Sequence, residues 1–171
     1  MKTTATILTA LLAFTTLSFI PDEGGVVGKK MPSVLIKDMA GNDINTGEIS
    51  NDGNPIVISF WATWCKPCRL ELNTIAEEYD ALKEETGVKL IAVSQDDERT
   101  KSLVEPTVNA EGWPYDIWLD PNKDLVRAMG ANYPPQTFII DGEGNIVYSH
   151  VGYVPGDEEG LYEEIRKYSK K

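Results

Sequence analysis

The order of apolar periods along this chain predicts an α/β layer fold built on a mixed sheet. Three observations carry the prediction. Pro55-Ile56-Val57-Ile58-Ser59-Phe60-Trp61 is a near-continuous apolar run, the pattern of a strand covered on both faces. A helical stripe of Cys68, Leu72, Ile75, Tyr79 and Leu82 follows it. Past Gly87, which ends that helix, Val88-Lys89-Leu90-Ile91-Ala92-Val93 is a second buried strand, completing a β-α-β unit.

The other elements fall around this unit. Residues 21–30, PDEGGVVGKK, are Gly-rich and polar and read as a linker. Met31 to Ile44 reads as a hairpin, two short apolar runs around Ala40-Gly41-Asn42. Asn51-Asp52-Gly53-Asn54 is a turn. Residues 97–110 predict a second helix that Pro106 should kink or break, with Asp96-Asp97-Glu98 as its acidic cap. Ile117-Trp118-Leu119 is a short strand, and Asp120-Pro121 opens a short helix closed by Gly130. Thr137-Phe138-Ile139-Ile140 and Asn145-Ile146-Val147-Tyr148 flank Asp141-Gly142-Glu143-Gly144, a hairpin signal. Glu158 to Tyr168 is a final amphipathic helix.

Length and charge bound the rest. The 171 residues suit one domain, over 31–171, plus a short leader. At 42% hydrophobic the chain builds a real core, so its two cysteines are not a disulfide framework. A net charge of −11 argues against nucleic acid and anionic membrane surfaces as partners. A monomer is expected. Residues 1–20 place Lys2 ahead of a short apolar stretch, which reads as a secretory signal peptide or an uncleaved N-terminal anchor. No cysteine stands there for lipid attachment. Export puts the domain in the periplasm or cell envelope, an oxidising setting.

The chemistry concentrates in Cys65-Lys66-Pro67-Cys68, where strand gives way to helix. Pro67 suits the first helical turn, because it lacks an N–H and has a preset φ. Cys65 then lies at the cap, where free N–H groups point, and Cys68 begins the buried stripe. The sulfurs are therefore expected to differ: Cys65 at an exposed tip as nucleophile, Cys68 shielded as the resolving thiol. An ordinary thiol, with pKa about 8.5, is only a few per cent ionised at pH 7, and lowering it to about 7 takes about 2 kcal/mol. The helix dipole supplies about 0.3–1 kcal/mol. Lys66, solvent-screened, adds little, so N–H···S bonds from the Cys68 backbone must supply much of the rest. Glu71 stands on the edge of the apolar stripe, three residues after Cys68. Partly desolvated, it can take the Cys68 proton; fully solvated, it is an ordinary acid of the first turns.

Phe60-Trp61-Ala62-x-Trp64-Cys65-x-Pro67-Cys68-Arg69-x-Glu71, with Pro135-Gln136-Thr137-Phe138-Ile139-Ile140-Asp141 further on, resembles the thioredoxin-like superfamily. Within it, the match is to the TlpA/ResA-like extracytoplasmic thiol–disulfide oxidoreductases, from Met31 to the C-terminus. The resemblance implies a four- or five-stranded mixed sheet flanked by helices, with an N-terminal hairpin and an inserted helix near 98–110. It implies that Pro135 follows a cis bond and faces the cysteines, although Tyr133–Pro134 is an alternative place for that bond. It makes Glu71 the buried acid beside the pair, since Ser59 stands where thioredoxins proper carry an acid. It also implies a disulfide-containing protein substrate and an upstream membrane thiol-relay donor. Cytochrome c maturation, repair of mispaired disulfides and electron supply to another envelope enzyme all remain open. The chain departs from the pattern at Pro134, where substrate usually meets both a backbone N–H and a C=O; proline offers the carbonyl alone.

Trp64, Lys66, Pro67, Tyr133, Pro134 and Pro135 are accordingly the expected substrate surface, and Trp61 belongs to the core. His150, the only histidine, reads as a surface or packing residue. The redox-active pair itself is the cofactor, and no metal is called for. Two other chemistries use the same residues. As a metal-binding module, Cys65 and Cys68 with one distant His make an incomplete zinc set, while Cu(I) on the two thiolates is the open alternative. A peroxidase on this fold needs Thr three before the cysteine and Pro seven before it, where Ala62 and Ile58 stand.

Overall fold

The structure, a computed structural model, describes residues 25–170. The expected leader of residues 1–20 lies outside them. The strands are β1 (Leu35–Asp38), β2 (Asp43–Asn45), β3 (Ile56–Trp61), β4 (Lys89–Ser94), β5 (Asp116–Leu119), β6 (Gln136–Ile140) and β7 (Ile146–Val151). The helices are α1 (Lys66–Thr86), α2 (Val104–Glu111), α3 (Asp124–Met129) and α4 (Asp157–Tyr168). One mixed sheet orders the strands β2-β1-β5-β4-β3-β6-β7.

Seven strands replace the four or five implied by the resemblance. The difference is the N-terminal hairpin, which joins the sheet through β1: Lys37 pairs antiparallel with Leu119 of β5. The expected linker is partly structured too. Gly28 N–H donates to the Ile146 carbonyl at 2.7 Å, and Lys30 bridges to Asn145. Backbone groups of residues 28–31 thus find partners along β7 and its turn.

β3 lies centrally, all six of its residues buried, between parallel β4 and antiparallel β6. Its side chains alternate between two cores, as a pleated strand requires. Val57 and Trp61 face the core shared with Leu72, Ile75 and Tyr79 of α1 and with Leu161 of α4. Ile56, Ile58 and Phe60 face the core shared with Leu125 and Met129 of α3. The whole predicted stripe of α1 is buried. Gly87 ends that helix with φ 68°, a conformation that penalises any Cβ, and its N–H donates to the Lys83 carbonyl.

Two helices start later than their sequences suggest. α2 begins at Val104 after a short 3-10 turn, so Pro106 falls in its first turn, where a missing N–H costs nothing. α3 begins at Asp124 rather than at Asp120-Pro121. The buried Asp120 carboxylate reaches forward and accepts from the Asp124 and Val126 N–H groups at 2.8 and 2.9 Å. Asp120→Ala leaves both donors without that acceptor and should cost roughly 1–3 kcal/mol. Urea unfolding should show a lowered midpoint with unchanged slope, and Asp120→Asn, retaining one oxygen, an intermediate value.

Candidate active site

The site forms where β3 ends. Its parallel neighbour β4 ends beside it, with Trp61 opposite Ser94. Antiparallel β6 starts there, with Phe60 opposite Gln136. The loop after β3, the start of α1, the loop after β4 and the segment before β6 therefore meet at one end of the sheet. Crevices at the carboxyl ends of parallel strands are the usual ligand sites of open α/β sheets.

Cys65 caps α1. Its φ and ψ are −89° and 94°, and its Sγ accepts from the Cys68 N–H at 3.3 Å. Lys66 is the first helical residue and Pro67 the second, so the proline lies in the turn that needs no N–H from it. Cys65 and Cys68 form a disulfide with Cα atoms 5.3 Å apart. The expected exposed tip at Cys65 is not seen: it is 5% exposed and Cys68 0%. Its side chain turns back over the first helical turn to cap it and to bond Cys68. The exposed rim is supplied instead by Trp64 at 59%, with Lys66 and Pro67 beside the pair.

Glu71 lies one turn further along α1 and is 3% exposed. Thr137 Oγ1 of β6 donates to its Oε1 at 2.8 Å, and Ser59 Oγ of β3 donates to its Oε2 at 3.3 Å. Ser59 and Thr137 are directly opposite each other in the β3–β6 pairing. Burial pushes the carboxyl up from 4.5 to about 7; the two hydroxyl bonds lower it against that trend, and the charge of Asp157 raises it further. Of the two environments open from sequence, Glu71 occupies the desolvated one. Ser59 and Thr137 were not singled out as partners of Glu71. Strand alternation could have found them: Ser59 lies between Val57 and Trp61 on the α1 face, and Thr137 shares a face with Ile139.

Pro134–Pro135 is the cis bond, immediately before β6. Pro135 is buried, and its carbonyl accepts from Gly152 N–H at 2.8 Å. Tyr133, two residues earlier, is 76% exposed. Trp61 is core, edge-on to Trp113 with centroids 4.7 Å apart.

Asp96 departs from its expected role as a helix cap. It is buried at the end of β4 and accepts from Thr63 N–H at 2.8 Å, Thr63 Oγ1 at 2.6 Å and Ser94 Oγ at 2.9 Å. The carboxylate thus holds the loop two residues before Cys65. Asp97 serves the local turn instead, accepting from Arg99 N–H at 2.9 Å. On the other flank, Glu111 of α2 is bonded by Arg69 and Asn73, tying the inserted helix to the active-site helix.

Two cysteines at a helix start, a buried acid and a cis proline make a thiol-exchange site. Comparison with known proteins agrees. The family model described as AhpC/TSA matches residues 27–149. The chain belongs to the AhpC/TSA family. Among curated relatives of this AhpC/TSA chain, thiol-disulfide oxidoreductase ResA of Bacillus thuringiensis is 30% identical, over 96% of this chain and 90% of that one. Thiol:disulfide interchange protein DsbE of Haemophilus influenzae is 32% identical, over 77% and 70%. An uncharacterized thioredoxin-like protein from Porphyromonas gingivalis, solved in solution, superposes with TM-score 0.73 at 43% identity, covering 81% of this chain and 91% of that one. This AhpC/TSA protein is a thiol–disulfide oxidoreductase of thioredoxin-like fold, with its cysteine pair at 65 and 68.

The Glu71 shift carries a stability signature. In the fold its carboxyl keeps a proton up to about pH 7, against an ordinary value of 4.5. Between those values the folded chain binds more protons than the unfolded one, so stability falls as pH rises through the window. The loss is on the order of 3 kcal/mol. Denaturation of the oxidised protein across that window should show it, and Glu71→Gln, which does not titrate, should remove that component.

Proposed function

We propose that the protein is an exported reductant of disulfides in other polypeptides, working through a Cys65 mixed disulfide that Cys68 resolves and Glu71 deprotonates. The observation that carries the resolving step is the buried Glu71 carboxyl, raised to about 7 one helical turn beyond the pair; the leader supports export, and the likeness to thiol–disulfide oxidoreductases supports the reducing direction.

The steps balance as follows. The Cys65 thiolate attacks one sulfur of the substrate disulfide, and the other substrate sulfur leaves as a thiolate and is protonated from solvent. Glu71 takes the proton of the Cys68 thiol. The new thiolate attacks Cys65 Sγ, closes the internal disulfide and expels the second substrate sulfur. Two electrons have passed from the cysteine pair to the substrate. A base whose pKa lies near the working pH suits that proton transfer, which is worth about 10²–10⁴-fold in a typical enzyme.

The rim supports a polypeptide substrate. Trp64 and Tyr133 present aromatic surface on the loops before α1 and before β6, and Lys66 and Pro67 are exposed in the first turn of α1. Pro134 brings a carbonyl and no N–H, so a docked strand makes one backbone bond fewer there. The leader at residues 1–20 supports export, and an oxidising compartment then requires a membrane thiol donor to keep the pair reduced. For a peroxidase, Ala62 and Ile58 fill the positions that need Thr and Pro, and both are buried core.

The decisive test is capture. In the native host, Cys68→Ser should accumulate disulfide-linked polypeptides on Cys65 that dithiothreitol releases, and Cys65→Ser should not. Equal capture by both variants, or none by either, contradicts the assignment. In insulin reduction, Glu71→Gln should slow the resolving step by about 100-fold or more at neutral pH. Pro134→Thr restores an N–H and should lower KM for a peptide disulfide with kcat little changed; an unaltered KM would remove the docking argument.

A further inference from the structure

A buried acid that accepts a proton on each turnover must also lose it. Glu71 sits under the sheet with 3% exposure, and its two hydrogen-bond partners, Ser59 and Thr137, are hydroxyls already donating to it. The structure offers one further neighbour. Ser59 is opposite Thr137, and Thr137 is opposite His150 of β7. Three adjacent strands thus carry Ser59, Thr137 and His150 as one row on one face, since directly paired residues share a face.

Glu71, Thr137 and His150 also line a common cavity of about 10 Å³, closed by Tyr153, Asp157 and Glu158. That is the space of a single water. Its outer wall reaches solvent: the side chains of His150 and Asp157 are 40% and 32% exposed. They are joined, His150 Nε2 to Asp157 Oδ2, at 3.3 Å. Asp157 is fixed in turn by accepting from Val154 N–H at 2.9 Å.

The other titratable groups facing the cavity do not suit proton transfer near neutrality. Burial pushes the Tyr148 and Tyr153 phenols up. Glu158 is held low, chiefly by its own backbone N–H, and accepts from Tyr153 OH at 2.8 Å. Histidine is the side chain that ordinarily exchanges protons in this range, with two ring nitrogens that can face different partners.

We propose that His150, held by Asp157, carries the proton between Glu71 and solvent through this cavity. It is a positioning residue that acts through Glu71, on the face of the sheet that α1 covers. The proposal rests on the Glu71 reading above and extends it. One proton leaves Cys68 for Glu71, the same proton passes by the cavity to the outer imidazole, and solvent takes it; no electron moves along this route.

The test separates the two claims. Reduced protein is mixed with a disulfide-linked peptide pair, and release of the first and second peptide thiols is followed. His150→Gln should leave the first release unchanged and slow the second at neutral pH by roughly tenfold, less than the full general-base effect. Added imidazole should restore the second release. Asp157→Asn, which keeps an oxygen for Val154 N–H, should show a smaller slowing of the same step. On a Glu71→Gln background, His150→Gln should add nothing, because the two act in series. Wild-type second release in both variants overturns the relay, as does a slowing that imidazole does not relieve or that persists undiminished beside Glu71→Gln. If Glu71→Gln alone leaves the second release unchanged, the proton-acceptor reading itself falls, and the relay with it.

Discussion

The burial of one carboxyl governs the arrangement of this site. A carboxylate taken out of water without partners costs several kcal/mol. Glu71 meets that cost with two hydroxyl donors and a raised affinity for its proton. The donors come from neighbouring antiparallel strands, and both must point at α1. That requirement agrees with a single register. A slip of one residue in β6 turns Thr137 to the opposite face and sets Phe138 or Gln136 beneath Glu71. The same register places Gln136 against Phe60 and so brings Pro135 to the end of β3. One strand pairing therefore positions both the acid and the proline.

The start of α1 carries a second constraint, on the sulfur. Cys65 accepts the Cys68 N–H as a helix cap does, so the group that satisfies the helix end is the group that stabilises charge on the sulfur in the reduced pair. The dipole alone, at about 0.3–1 kcal/mol, falls short of the about 2 kcal/mol that a thiolate at neutral pH requires. Direct bonding closes the gap only if the loop before the helix is held still. Asp96 does that through three bonds, two of them to Thr63. Its carboxylate touches no sulfur, and its influence on the pair runs through loop geometry.

The sequence was legible where period and punctuation agree. The stripe from Cys68 to Leu82, the run from Pro55 to Trp61 and the stop at Gly87 all stand in the structure, since burial of a helical stripe and a doubly covered strand leaves little choice. Glu71 was legible as an edge-of-stripe acid, but not its partners, because Thr137 reaches it across 66 residues of chain and Ser59 meets it only once β3 and α1 pack together. Asp96 misled for a related reason. An acidic run ahead of a helix normally caps it, and only tertiary contact turned the first member toward the loop after β3. His150 looked bland because no local pattern marks a residue whose neighbour in the row lies on another strand.

A carboxyl with its midpoint near neutrality is populated in both forms, which makes it indifferent to direction. In the proposed cycle it removes the Cys68 proton when the pair reduces a substrate and returns one when a donor opens the internal disulfide, because each step is the reverse of the other. Whether the protein acts as reductant or oxidant is therefore not written in Glu71 or in the row beneath it. The direction follows from the reduction potential of the pair against its partners, 30 mV of which is worth about 1.4 kcal/mol. The geometry at the sulfurs decides that balance, through the N–H groups that favour the Cys65 thiolate and so the reduced form. Stabilising that thiolate makes the pair a better leaving group and a weaker reductant, while its nucleophilicity falls as its pKa does. A donor that keeps the pair reduced offsets the first effect, and for that reason a reductant of the proposed design takes its direction from its electron donor and its speed from its own fold.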